Sequence, residues 1–221
     1  MGEAMVRDQE LTQGVIHGDR ETVLRLLREE LDAGRGPLAI LNGGLIPGIN
    51  ILGERFGRGE VFIPELMAAA KAMNAAMDVL RPLLEATGVK PLGRVVIGTV
   101  KGDMHDIGKN LVAMMLRGAG FEVIDLGVNA GAEKFIQALE QTGARLMGMS
   151  ALLTTTMNRM EGIIQEIRRA AFGPEVRIVV GGAPLDEEYA RKIGADGYAK
   201  DAALAVGRFK ALCGGPPSRA R

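Results

Sequence analysis

The sequence predicts an α + α/β chain: an N-terminal four-helix bundle followed by a doubly wound, five-stranded parallel sheet. Two observations carry this. Up to about residue 88 apolar side chains recur at three- and four-residue intervals, as at Leu24, Leu27 and Leu31, which is the helical period. From Gly93 onward short β-rich runs alternate with amphipathic stretches of about ten to fifteen residues, the form that repeated βαβ units take.

Taken in order, the first helix is expected over 3–17 and the second over 20–33, with Asp19 as its N-cap. A third runs from Pro37 to about 56 and a fourth from Pro64 to about 86, each proline standing in a first turn where a missing N–H costs nothing. Gly43, Gly44, Pro47 and Gly48 interrupt the third segment, which is therefore either kinked or packed tightly on a neighbour. A linker over 87–92 leads to strands at 94–99, 122–126, 146–150, 177–180 and 197–199, each followed by a helical stretch. These boundaries divide the chain into a helical domain over 1–88, a sheet domain over 89–213, and a Pro/Gly/Ser/Arg-rich tail over 214–221 that is expected to be disordered.

The composition excludes several functions. With 27 basic and 27 acidic side chains the formal charge is zero, so the cationic surplus that binds nucleic acid is missing. Cys213 is a lone cysteine, and no basic region followed by an apolar run opens the chain, so a reducing, cytoplasmic setting is expected. No stretch approaches the ~20 apolar residues that span a bilayer. His17, His105 and Cys213 cannot by themselves assemble a zinc site, so any metal is expected to arrive already held. His17 ends the first helix, where a cation is ordinary, and is assigned no function.

A five-unit sheet of this kind has strand order 2-1-3-4-5 and binds its ligand beyond the carboxyl ends of strands one and three. The loop after strand one, residues 98–110, sets His105 among Gly102, Asp103, Asp106 and Gly108 and is the densest polar cluster in the chain. A metal-ligating histidine typically gives its other ring N–H to a carboxylate, and Asp103 is placed to receive it. The alternative is that Asp103 or Asp106 caps the following helix and His105 is solvated. Neither the GxGxxG dinucleotide pattern nor a P-loop occurs.

Asp103-x-His105-x-x-Gly108, followed by Ser150-x-Leu152 and Gly181-Gly182, resembles the DxHxxG signature of cobalamin-binding domains. The N-terminal region, with Gly59-x-x-Phe62-Ile63-Pro64-Glu65-Leu66, is similar to the helical cap of methionine synthase and of the small corrinoid proteins of methyltransferase systems. The resemblance implies a flavodoxin-like second domain that binds cobalamin or a related corrinoid. In it His105 would be the lower axial ligand of cobalt, displacing the cofactor's own base into the sheet. Gly102, Asp103, Met104, His105, Asp106, Ile107 and Gly108 would then line the cofactor, and Thr156 would complete a proton relay with Asp103 and His105. Ser150 and Thr154 would hydrogen-bond the displaced base, Leu152 would pack beside it, Gly181 and Gly182 would give it room, and Tyr198 and Ala199 would form the far wall. On the residues alone, Ser150 and Thr154 read rather as a strand end bonding its own backbone, and the glycine pair as a plain turn. Phe62, Leu66 and Met67 are candidates for a cap over the cobalt methyl group; the other methionines of the fourth helix, Met73 and Met77, suit adaptable core.

What the resemblance implies is a methyl carrier of one-carbon metabolism, a non-catalytic subunit that takes a methyl group on cobalt from a substrate-specific methyltransferase. An acceptor methyltransferase acting on tetrahydrofolate or coenzyme M would receive it, and a reductive activator would rescue oxidised cobalt. The two domains would move as rigid bodies about residues 87–92. A chain of 221 residues holding both domains leaves no room for a methyl-donor barrel of about 250. Methylamines, methanol, betaines and methoxylated aromatics all remain open as donors, because that choice belongs to the partner. Two other readings compete. A cobalamin-dependent sensor would carry a DNA-binding domain and a Glu-His pair in the helical region, and residues 60–88 contain no histidine. The small subunit of an adenosylcobalamin mutase matches only the second half.

Overall fold

The computed structural model describes residues 2–88 and 90–213, without the side chains of residues 2, 3 and 85. The tail expected over 214–221 lies outside the described residues. The chain falls into two compact units, Met1–Lys90 with Arg117–Ala119, and Pro91–Leu116 with Gly120–Arg221.

The first unit is helical: α1 (Gly2–Ile16), α2 (Arg20–Asp32), α3 (Pro37–Ile40), a π turn (Leu41–Leu45), α4 (Ile46–Gly57) and α5 (Ile63–Ala86). Helix α2 begins where Asp19 caps it, the carboxylate accepting the Thr22 N–H at 3.0 Å. The glycine-rich third segment is tightly packed. It passes through a π turn, and a Cβ on Gly44 would stand 2.6 Å from Leu11 Cβ, one on Gly48 2.8 Å from Val15 Cβ. Thr12 Oγ1 donates to Gly44 O at 2.9 Å across that contact. Glycine is what lets two backbones approach this closely. At the start of α5 the Glu65 carboxylate reaches back to accept the Phe62 N–H at 2.8 Å, one half of a capping box. Met73 and Met77 are buried in the core of this unit, with Leu26, Leu45 and Leu80.

The second unit is a parallel sheet of order β2-β1-β3-β4-β5, with β1 (Arg94–Thr99), β2 (Glu122–Asp125), β3 (Leu146–Ser150), β4 (Arg177–Gly181) and β5 (Gly197–Ala199). Helices α6 (Ile107–Gly118), α7 (Ala132–Thr142), α8 (Thr154–Met157), α9 (Arg159–Arg169), α10 (Glu187–Lys192) and α11 (Ala202–Cys213) connect and close the strands. β2 ends one residue short of expectation and β4 runs one further. Val95, Val96 and Ile97 in β1 are all buried, as a central strand covered on both faces requires. In register, Val96 lies beside Met147 and Met147 beside Ile178, and this row enters a core with Phe135, Ile163 and Ile167. Because the chain order reverses between β1 and β3, the loops that leave their carboxyl ends diverge and open a crevice there.

Candidate functional site

The loop after β1 owes its path to Gly102, whose φ of +85° is closed to most side-chain-bearing residues. It carries Asp103 inward and His105 outward: the Asp103 side chain is wholly buried and that of His105 is half exposed. Oδ1 of Asp103 accepts the His105 main-chain N–H at 3.0 Å and lies 2.8 Å from His105 Nδ1. Its Oδ2 accepts the Thr156 hydroxyl at 2.6 Å, the Leu152 N–H at 2.8 Å and the Leu153 N–H at 3.4 Å. Burial pushes this carboxyl up, but the hydrogen bonds from Thr156, the His105 and Leu152 main chain and the His105 ring outweigh it. Asp103 is thereby held far below the usual carboxylate range.

An ionised carboxylate only accepts, so in the neutral imidazole the pairing favours the proton on Nδ1, which leaves Nε2 its lone pair. Nε2 makes no hydrogen bond among the described residues. Beside His105 in the chain Met104 and Ile107, and on the loop after β3 Leu152 and Leu153, expose 68%, 68%, 45% and 43% of their surface. Large exposed apolar side chains on the two loops that the Asp103 carboxylate links suit an apolar planar ligand that would cover them. Asp103 is thus a partner of the β3 loop rather than a cap for α6, and Asp106 serves the helix through its carbonyl, which accepts the Asn110 N–H at 2.7 Å. No group of three or more His, Cys, Asp or Glu side chains that could enclose a bare metal ion occurs among the described residues.

Of the remaining expected site residues, Ser150 is half-buried and Thr154 exposed, and neither hydroxyl is spent on the chain's own backbone among the described residues. Gly182, at φ +131°, is demanded by the fold itself, since a Cβ there would stand 1.8 Å from Ala151 O. Gly181 is similar, with its would-be Cβ 2.8 Å from Ala199 O. Tyr198 is half-buried and Ala199 buried on the edge strand β5. Gly108 opens α6 with nothing within 4 Å of its would-be Cβ. In the helical unit Phe62 is 71% exposed and Met67 half-buried, but Leu66 has no exposed surface. That corrects the three-residue cap expected from the sequence: Leu66 lies one turn inside α5, on the face that fills the bundle's core.

Sequence reasoning missed the supports. Thr99 Oγ1 donates to His105 O at 3.0 Å. Asn129 Oδ1 accepts the Gly102 N–H at 2.8 Å. Lys109, only 2% exposed, donates to both carboxylate oxygens of Asp125 at 2.7 and 2.6 Å, tying α6 to the end of β2. Lys109 directly follows the motif glycine and Asn129 sits in a turn-prone stretch, but nothing in the sequence pairs either with its partner.

Two family models match the chain, both described as B12 binding domain, one over residues 93–207 and the other over 8–81. The dimethylamine corrinoid protein of Methanosarcina barkeri is 40% identical over 205 residues, 92% of this chain and 96% of that protein. The trimethylamine corrinoid protein 1 of Methanosarcina acetivorans is 39% identical over 88% of this chain and 91% of its own length. Among solved structures, a cobalamin-binding protein of Desulfitobacterium hafniense superposes with TM-score 0.78 at 27% identity, covering 91% of this chain and 96% of that one. A chain of the methanol:cobalamin methyltransferase complex of Methanosarcina barkeri gives TM-score 0.79 at 26% identity over 94% of this chain and 80% of that one.

Proposed function

Because the chain belongs to the B12-binding family of corrinoid proteins, we propose that it carries a methyl group on corrinoid cobalt between two methyltransferases, with His105 Nε2 as the lower axial ligand. The observation that supports this most directly is the Asp103–His105 pair, which presents a lone-pair nitrogen amid exposed apolar side chains at the sheet's switch point. The donor set fits a metal that arrives inside a macrocycle, since one imidazole suffices as an axial ligand and a bare ion would find no cage. When bound, the cobalt supplies the nucleophile that accepts a methyl group and later gives it up.

The chain's own residues orient and buffer. Asp103 fixes the Nδ1–H tautomer and the ring plane of His105, and the Thr156 hydroxyl secures the far carboxylate oxygen. Were the imidazole to leave the metal, the Asp103–His105 pair would take up a proton, held beside the buried Asp103 carboxylate. Gly102 allows the loop to approach a bulky ring, and Met104, Asp106, Ile107 and Gly108 border it. The unspent hydroxyls of Ser150 and Thr154 suit the displaced base, with Leu152, Gly181, Gly182, Tyr198 and Ala199 flanking its groove. Phe62 and Met67 are the cap residues that remain, shielding the methyl group from water.

In this reading residues 1–88 form the cap, residues 89–213 hold the corrinoid, and the two move as rigid bodies about 87–92. The partners are a substrate-specific methyltransferase, an acceptor enzyme using tetrahydrofolate or coenzyme M, and a reductive activator. The test is His105→Ala loaded with hydroxocobalamin. The wild-type protein is expected to show the absorption spectrum of histidine-ligated cobalamin and the variant to lose it. An unchanged spectrum in the variant rules the assignment out, and the methyltransferase that co-purifies with the loaded wild type identifies the donor.

A further inference from the structure

Among the described residues Asn129 is the non-glycine residue with a left-handed backbone, at φ +53°. Asparagine tolerates that conformation better than other side chains do, which makes it a residue worth interrogating. It follows the end of β2 and faces the histidine loop with two groups. Its Oδ1 accepts the Gly102 N–H at 2.8 Å, and its own N–H donates to Asp103 O at 3.2 Å. Both ends of the Gly102–Asp103 unit are thus held by one residue.

The support behind it is firm. The Thr99 N–H donates to Gly127 O at 3.0 Å and the Ala130 N–H to Thr99 O at 2.9 Å, so the stretch on either side of Asn129 is stitched to the end of β1. Lys109 and Asp125 anchor it from below, and Asp125 Oδ1 also accepts the Gly127 N–H at 2.9 Å. On the other side, Gly102 is at φ +85° and free to swing once its N–H is released. A rotation there would redirect the main chain that carries both Asp103 and His105.

We propose that Asn129 is a positioning residue, whose side-chain oxygen, clamping the Gly102 N–H, keeps the histidine loop in the conformation in which Nε2 can ligate cobalt. This deepens the corrinoid reading and rests on it. The side chain acts through the loop and touches neither Nδ1 nor Nε2 of His105. It would bias the balance between ligated and released imidazole, leaving the corrinoid's hold on the rest of the crevice intact.

Two variants separate the acceptor from the backbone conformation. Asn129→Gly removes the oxygen while accepting the positive φ without strain, and Asn129→Asp restores an acceptor at the same place. In the apoprotein, amide hydrogen exchange at Gly102 is expected to be slow in the wild type, fast in Asn129→Gly and slow again in Asn129→Asp. In protein carrying 15N-labelled histidine and loaded with cob(II)alamin, the two-line axial 15N splitting in the electron paramagnetic resonance spectrum, distinct from the three lines of the cofactor's own base, reports the histidine-ligated share. Loss of one hydrogen bond is expected to lower the ratio of ligated to unligated cobalt about fivefold in Asn129→Gly, with recovery in Asn129→Asp. A wild-type ratio in Asn129→Gly overturns the inference, and so does a loss that Asn129→Asp fails to repair. A wild-type spectrum with no axial histidine 15N splitting overturns the corrinoid reading instead, while Gly102 exchange still reports whether the clamp exists.

Discussion

Two oxygens of Asp103 meet five donors: the His105 main chain and ring, the Leu152 and Leu153 main chain, and the Thr156 hydroxyl. Full burial makes that arrangement obligatory, because an ionised group removed from water must find protein partners. It also has a pH signature. Hydrogen bonding depresses the folded-state value, so the group contributes stability that is present above the unfolded carboxylate value of about 3.9 and is lost as pH falls below it toward the folded value. Denaturant unfolding of the apoprotein should therefore show the advantage of the wild type over Asp103→Asn shrinking as pH falls from neutral through about pH 4 to pH 3, with the larger part of it still present there. A constant difference across that range would mean that Asp103 does not titrate in this way. Thr156 is also buried, and its hydroxyl, which donates to Asp103, lies close to Leu153 O as well, at 2.9 Å.

Among the elements, α6 and β2 are joined by a charge pair rather than by packing alone. Lys109 stands in the first turn of α6 and Asp125 ends β2, and their contact fixes where the loop after β2 begins. Removing Lys109 leaves the Asp125 carboxylate, which is partly exposed, without its ammonium partner. Lys109→Met is expected to cost about 1–2 kcal/mol in urea unfolding, and to loosen the segment on which Asn129 depends. The second effect separates this pair from a merely stabilising one: amide exchange at Gly102 should quicken in Lys109→Met under native conditions. Element boundaries were read from the sequence to within a residue wherever periodicity ended at a cap or a glycine, as at Asp19 and Gly93. The π turn in Leu41–Leu45 was not legible, because a π turn needs one more residue per turn and leaves no mark in composition. Helix α5 also continues through Pro82, where the sequence offers no sign that neighbours make up for the lost hydrogen bond.

For the molecule as a whole, each unit carries a core of its own, so a ligand held by one acts on that unit's stability first. A corrinoid bound at a hundredfold excess over Kd stabilises the folded state by about 2.7 kcal/mol through mass action. In calorimetry the transition of the sheet unit is expected to rise with hydroxocobalamin concentration, and that of His105→Ala to rise less. No concentration dependence at all would contradict binding there. Among the described residues no helix is long and apolar enough to cross a membrane.

What the sequence determined by itself is the order of the two architectures, the strand order and the Asp103–His105 pair, because periodicity and a short motif are local properties of the chain. Thr156 was named as the third member of that cluster by the resemblance to a family, not by any spacing in the chain. Tertiary structure decided what no local pattern encodes. It brought the Leu152 and Thr156 donors onto Asp103 from about fifty residues away, and it gave Gly182 a steric reason in Ala151 O. It likewise withdrew Leu66 into a core and lent Asn129 to a loop in another part of the chain. Those contacts arise from how strands and helices pack, and packing is set by the sum of many side chains rather than by the spacing of a few.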